Sequence, residues 1–176
     1  MMESSIVLRT LERDDLKRIQ AWSRNRNPAW LSREPHRLGP LDQMTMQRGE
    51  NNSEREFAVL ENSSKRVVGW GSVAFCNSPR RNKSADIGLV VRQDNPPHER
   101  WAEEAMRLLL AIAFDELKLH RVSWRTLCED QETIGLATQM GFEEEARLRE
   151  KVSFEGGFYD AIVFGLLAKD YYRYNQ

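Results

Sequence analysis

The stretch Asn95–Met106, NPPHERWAEEAM, joins a run of strand-like segments to an amphipathic helix. Phosphates bind at such junctions, because the first amides of a helix lack intrahelical acceptors and the helix dipole is positive there. Two readings compete. Asn95 as a cap, Pro96 at the first helical position and the acidic Glu99, Glu103 and Glu104 make a helix start that needs no ligand. Against that, backbone amides donate whatever side chain they carry, and Arg92 and Arg100 are close enough in sequence to pair with an anion.

Few other residues cluster for chemistry. The three histidines are scattered and the two cysteines, Cys76 and Cys128, stand far apart, so no metal-ligand spacing is present. Both thiols are read as reduced and structural, Cys128 as a small residue at the end of a strand.

The elements that must position these residues follow from periodicity. Ile6–Arg9 reads as a strand, and Asp14 or Asp15 caps a helix to about Arg24 with Leu16, Ile19 and Trp22 on one face. Residues 25–54, rich in proline and charge, read as loop with one or two short helices, either a binding loop or a surface excursion. Phe57–Leu60, Val67–Phe75 and Ser84–Val91, separated by turn-forming residues, form an antiparallel meander. The helix Trp101–Leu117 repeats apolar residues at three- and four-residue spacing. A strand over Arg121–Leu127 leads to a helix over Gln131–Met140, capped by Asp130 and stopped by Gly141. Phe142–Arg149 and Phe158–Leu167 pair around the turn Glu155–Gly157. Strands in runs disfavour a wholly parallel sheet, so the expectation is an α/β (α+β) mixed sheet with helices on both faces.

Composition narrows the function. With 176 residues, 40% of them hydrophobic, the chain suits a single domain spanning 1–176. Lysine plus arginine (26) nearly balances aspartate plus glutamate (27), so no net field favours a polyanion, and no nucleic acid partner is expected. No apolar run approaches the roughly 20 residues that span a bilayer, so no membrane partner and a cytoplasmic address are expected.

The order of elements, with IGLVV at Ile87–Val91, LKLHRV at Leu117–Val122, MGFEEEARLRE at Met140–Glu150 and GGFYDAIVFGLL at Gly156–Leu167, resembles the GNAT superfamily of N-acetyltransferases, in its RimJ/RimL-like, ribosomal-protein-acetylating branch. The likeness begins at LRTLERDDL and is densest after residue 84. It implies a splay between the fourth and fifth strands in which acetyl-CoA lies, with an amine attacking the thioester directly. It also implies cofactor contacts from Leu89, Val90 and Val91 on the fourth strand and from Glu99, Arg100, Trp101 and Ala102 at the helix start.

The chain departs from the family pattern at three places. The pyrophosphate pattern Gln/Arg-x-x-Gly-x-Gly/Ala falls on Pro97 to Ala102 and only Ala102 matches, so the loop is degenerate. Pro97 lacks an N–H, and Arg100 stands where a glycine gives the phosphate room. Asp130 replaces the asparagine that touches pantetheine, as a cofactor contact or as a helix cap. Ala137 replaces the tyrosine that protonates the departing thiolate in many relatives, which leaves Thr133, one turn earlier, as the hydroxyl on that face.

An ammonium acceptor must lose a proton before attack, so a nearby base is required. Glu12, His36, Glu150 and Tyr159 are candidates, with Glu150 carried forward as catalytic alongside Thr133. Trp30 and His36, in the loop that helps wall the acceptor site in this family, are the expected substrate contacts. His120 is read as structural and His98 as solvated.

The implied activity is transfer of an acetyl group from acetyl-CoA, without a metal, to the primary amine of a peptide N-terminus or a small molecule. The alternative is a non-catalytic module of the same fold, its cofactor groove filled by Arg100 or Trp101. The aromatic C-terminal stretch YDAIVFGLLAKDYYRY suggests a homodimer surface.

Overall fold

The computed structural model describes residues 4–23, 54–75, 83–92, 98–154 and 156–174. The long loop with Trp30 and His36, Cys76, and Asn95 to Pro97 lie outside the described residues.

A seven-stranded sheet runs in the order β1-β2-β3-β4-β5-β7-β6. Its strands are β1 (Ile6–Thr10), β2 (Glu54–Glu61), β3 (Val67–Phe75), β4 (Ser84–Val91), β5 (Arg121–Leu127), β6 (Glu143–Phe154) and β7 (Gly157–Leu167). The helices are α1 (Arg13–Ser23), α2 (His98–Ala111), α3 (Gln131–Gln139) and α4 (Ala168–Tyr174), and a wide turn of π-helix over Ile112–Glu116 continues α2. Every strand pair is antiparallel except β4 with β5. That exception follows from chain length, since a parallel neighbour needs a crossover and α2 supplies it.

Both faces of the sheet centre are covered. On one, Trp101, Met106 and Leu109 of α2 pack with Leu89 and Val91 of β4 and Trp124 of β5, while Ala137 and Met140 close the α3 side. On the other, Leu16 and Ile19 of α1 cover Trp70 of β3 and Val90 of β4. Consecutive β4 residues thus serve opposite cores, as a strand's two-residue period requires. Gly71 lets α2 lie close, because a Cβ there would stand 2.9 Å from Leu109 Cδ1. Fully burying one such leucine contributes roughly 1.5–3 kcal/mol.

Several expected boundaries move. α2 starts at His98, one turn before Trp101, and its regular part ends at Ala111. β6 runs on to Phe154 because a bulge at Arg149–Lys151, with Glu150 at φ 50°, absorbs the charged residues that suggest an end at Arg149. The aromatic C-terminus, expected as an exposed edge, forms α4. There Tyr171 stacks on Phe114 at 4.8 Å, and the Tyr172 hydroxyl donates to the Phe114 carbonyl at 3.0 Å.

Candidate active site

β4 and β5 stay together only briefly. Their ladder joins Ser84–Ile87 to Arg121–Trp124, and beyond it Gly88–Val91 remain bound to β3 and Arg125–Leu127 to β7, but not to each other. The sheet therefore opens between the carboxyl ends of its two parallel strands, leaving a backbone edge of each without a strand partner among the described residues. Crevices at that position in α/β sheets are where ligands bind. α2 and α3, which follow β4 and β5, begin at the same end, so both helix N-termini flank the opening.

The sequence-expected cofactor residues distribute around this opening. Leu89, Val90 and Val91 form its β4 wall, with Leu89 and Val91 turned towards α2 and Val90 towards α1. Glu99 and Arg100 are exposed in the first turn of α2. The Arg100 guanidinium lies along the helix on Glu104 at 2.8 Å, with half of its side chain exposed. Trp101 is 2% exposed, and beside its core packing its ring lines a recess with Ser4, Ser5, Glu61 and Asn62, on the β1 side of α2. Ala102 is half-buried against the same core.

Glu104, which the sequence offers only as a first-turn acid, ties α2 in place. It accepts from the Ser5 amide at 2.7 Å, the Ser4 hydroxyl at 3.0 Å and Arg100 Nε at 2.8 Å. Burial pushes its carboxyl up, but these donors outweigh it and hold the pKa down at about 2. The start of α2 is thereby anchored to β1.

Asp130 is buried and caps α3. Its Oδ1 accepts from the Thr133 amide at 3.1 Å and its Oδ2 from the Thr126 hydroxyl at 2.9 Å. Thr133 is also buried, in the first turn of α3, and Ala137 one turn on is packed in the core. Cys128, just past β5, is partly buried, and burial raises its thiol pKa, so it stays protonated near neutrality. Glu150 sits exposed in the β6 bulge, its amide bonded to Asp160 Oδ1 at 2.8 Å, with β7 and β5 between it and β4.

Other polar groups near the opening are absent from the sequence reading. Asp86 of β4 and Arg125 of β5 pair across the parallel seam at 2.8 Å, each about a third exposed. Away from the opening, at the joined end of the ladder, Arg121 of β5 pairs with Glu145 of β6, one contact being 2.6 Å, over the bare backbone of Gly165. Both pairs lie on the α1 side of the sheet. Only cross-strand register could reveal them, because their partners are 39 and 24 residues apart in sequence.

Residues 5–143 match the acetyltransferase (GNAT) domain family. The chain belongs to that family. It is an N-acetyltransferase, and acetyl-CoA is the acyl donor of the family. Spermidine N(1)-acetyltransferase of Vibrio cholerae is 27% identical over 97% of both chains. An uncharacterized N-acetyltransferase, p20 of Bacillus licheniformis, is 26% identical over 65% of this chain and 63% of its own. Among solved structures, mutant forms of the spermidine/spermine N-acetyltransferase SpeG from V. cholerae match with a TM-score of 0.82 at 25% identity, covering 99% of this chain and 100% of that one. These findings set aside the non-catalytic alternative.

Among the described residues no group of three or more His, Cys, Asp or Glu is placed to hold a metal ion, and no helix is long and apolar enough to cross a membrane.

Proposed function

We propose that this chain, working as one domain, transfers acetyl groups from acetyl-CoA to a primary amine of a small polyamine such as spermidine. The observation that carries the acceptor class is a set of carboxylates on the α1 side of the sheet. Glu54 and Glu56 of β2 and Asp86 of β4 share that side, Glu54 and Asp86 facing each other across Ala74 of β3. Two strand spacings of about 4.8 Å each separate that pair, the span of a chain whose ammonium groups stand several carbons apart. The likeness to the V. cholerae spermidine acetyltransferase, a relative covered almost end to end, points the same way. A ribosomal-protein N-terminus, the acceptor of the RimJ/RimL-like branch, has no such array to recommend it.

Acetyl-CoA supplies the activated acyl carbon. The free edge of Leu89–Val91 fits its amide-bearing arm, and the first amides of α2, at Glu99, Arg100 and Trp101, with the small Ala102 behind them, fit the pyrophosphate. Arg100 reaches a phosphate by leaving Glu104, an exchange that an exposed pair permits. Asp130 holds the start of α3 beside this arm, and Thr133 is the hydroxyl proposed to return a proton to the departing sulfur. His36 and Trp30 are proposed to border the acceptor. Self-association is also proposed, as a solved relative from V. cholerae is described as dodecameric.

Thiol release from acetyl-CoA with a panel of amines tests the acceptor class. Spermidine is expected to turn over with kcat on the order of 1–10 per second, and peptide N-termini at least tenfold less efficiently. Turnover of peptides without polyamines would overturn it.

A further inference from the structure

Two buried polar atoms on β3 have no hydrogen-bond partner among the described residues, the Ser72 hydroxyl and Trp70 Nε1. Ser72 is 0% exposed and Trp70 3% exposed. Both side chains lie on the α1 side of the sheet, because Trp70 belongs to the core under α1 and Ser72 follows at the two-residue period. Buried polar groups are nearly always paired, so two orphans side by side on one strand call for an explanation.

Their place in the sheet supplies one. Glu56 of β2, Ser72 of β3 and Gly88 of β4 form one cross-strand row. Gly88 is the first β4 residue beyond the ladder with β5, so the row ends at the opening. Gly88 carries no side chain, so β4 itself raises none beside Ser72 in this row. Neighbours in such a row have Cβ atoms about 5 Å apart, within reach of a hydrogen bond or one water. The opposite face of the opening is packed with Leu89, Trp124 and Ala137, whereas the carboxylates proposed to hold the acceptor, Glu54, Glu56 and Asp86, share the side that Ser72 faces.

We propose that Ser72 is a proton-relay residue for the acceptor amine, and that Glu56 is the base at the far end of the relay, a role the sequence offered to Glu150. This rests on the acetyltransferase reading of the opening. The ammonium gives one proton to the Ser72 oxygen as the Ser72 hydroxyl proton passes to the Glu56 carboxylate. The freed amine forms the C–N bond as the C–S bond breaks, and its second proton replaces the one that the Thr133 hydroxyl passes to the sulfur. One proton is released from Glu56 to solvent for each amide formed. Burial of Ser72 keeps bulk water from shortcutting this path, and Trp70 Nε1 supplies a fixed donor beside it.

The test compares Ser72→Ala and Glu56→Gln with the unaltered enzyme in kcat and KM across pH 6–10, with Tm for each. Ser72→Ala is expected to lower kcat for spermidine at least tenfold at pH 7 and to leave the KM for acetyl-CoA within twofold. Its Tm should rise or stay constant, because an unsatisfied hydroxyl is removed. In both variants kcat/KM should climb towards high pH, where the amine is free without help. Ser72→Ala with unchanged kcat across the range would overturn the relay. So would a lowered Tm with lost acetyl-CoA binding, which would make the hydroxyl structural. An unaltered enzyme that releases no thiol with any amine would instead sink the acetyltransfer reading itself.

Discussion

Asp86 and Arg125 bridge β4 and β5 at 2.8 Å, at the place where the two parallel strands stop sharing hydrogen bonds. The pair fastens the seam on the α1 side while the backbones part. It also keeps a carboxylate and a guanidinium at the mouth of the opening, where a cationic acceptor must choose between them. The proposed polyamine would compete with Arg125 for Asp86, and the guanidinium would then be left without that carboxylate.

Asp86→Asn is therefore expected to raise the KM for spermidine about tenfold, equivalent to about 1.4 kcal/mol. The KM for acetyl-CoA should change less than twofold. Steady-state kinetics with each substrate varied in turn would check both values. Equal loss on both sides would mean that the pair only holds the strands.

Glu104 sets an acid limit on stability. Its folded pKa of about 2 lies below that of an unfolded glutamate, so the unfolded chain binds more protons between those values. The stabilisation is fully present above about pH 4.5, an ordinary glutamate value, and is lost as the pH falls towards 2. Glu104→Gln should lower stability at pH 7 by about 1–3 kcal/mol, as loss of charged hydrogen bonds does. Urea midpoints from pH 7 to 2.5 should then fall less steeply for the variant.

Asp130 joins the end of β5 to the start of α3. Asp130→Ala removes the cap and orphans the buried Thr126 hydroxyl, at an expected cost of about 2–4 kcal/mol. Asp130→Asn keeps an acceptor for the Thr133 amide and should recover at least half of that loss. Paired denaturation curves decide this. Equal effects of the two substitutions would show that charge, and not capping, matters at this position.

Gly165 lies under the Arg121–Glu145 pair, and a Cβ there would meet both side chains. Gly165→Ala should cost about 1–3 kcal/mol through overpacking. The double variant Gly165→Ala with Glu145→Ala should regain most of this. Chemical denaturation of the single and double variants measures the coupling.

Much of this architecture is legible in the residues alone. The meander β2–β4, the β5 strand and the α3 helix follow from period and turn chemistry, because local signals suffice for them. Gly141 stops α3 as expected, at φ +83°, a conformation that suits glycine. The C-terminal helix is not legible in the sequence, because KDYYRY carries no apolar stripe. It is held by the contacts of Tyr171 and Tyr172 with the wide turn at Phe114, which tertiary structure alone creates. The site divides in the same way. The opening follows from family likeness, and the Asp130 cap from its position before a helix. Asp86–Arg125, the Glu104 anchor and the orphaned Ser72 needed register, since each depends on strands or helices brought together from distant parts of the chain.

The most direct test of the account is a calorimetric titration of the protein with acetyl-CoA, since everything proposed here needs the cofactor between β4 and β5. The expected result is one site per chain with a Kd at or below about 100 μM, roughly −5.5 kcal/mol. Absence of heat up to millimolar acetyl-CoA, with a parallel absence of thiol release, would contradict it.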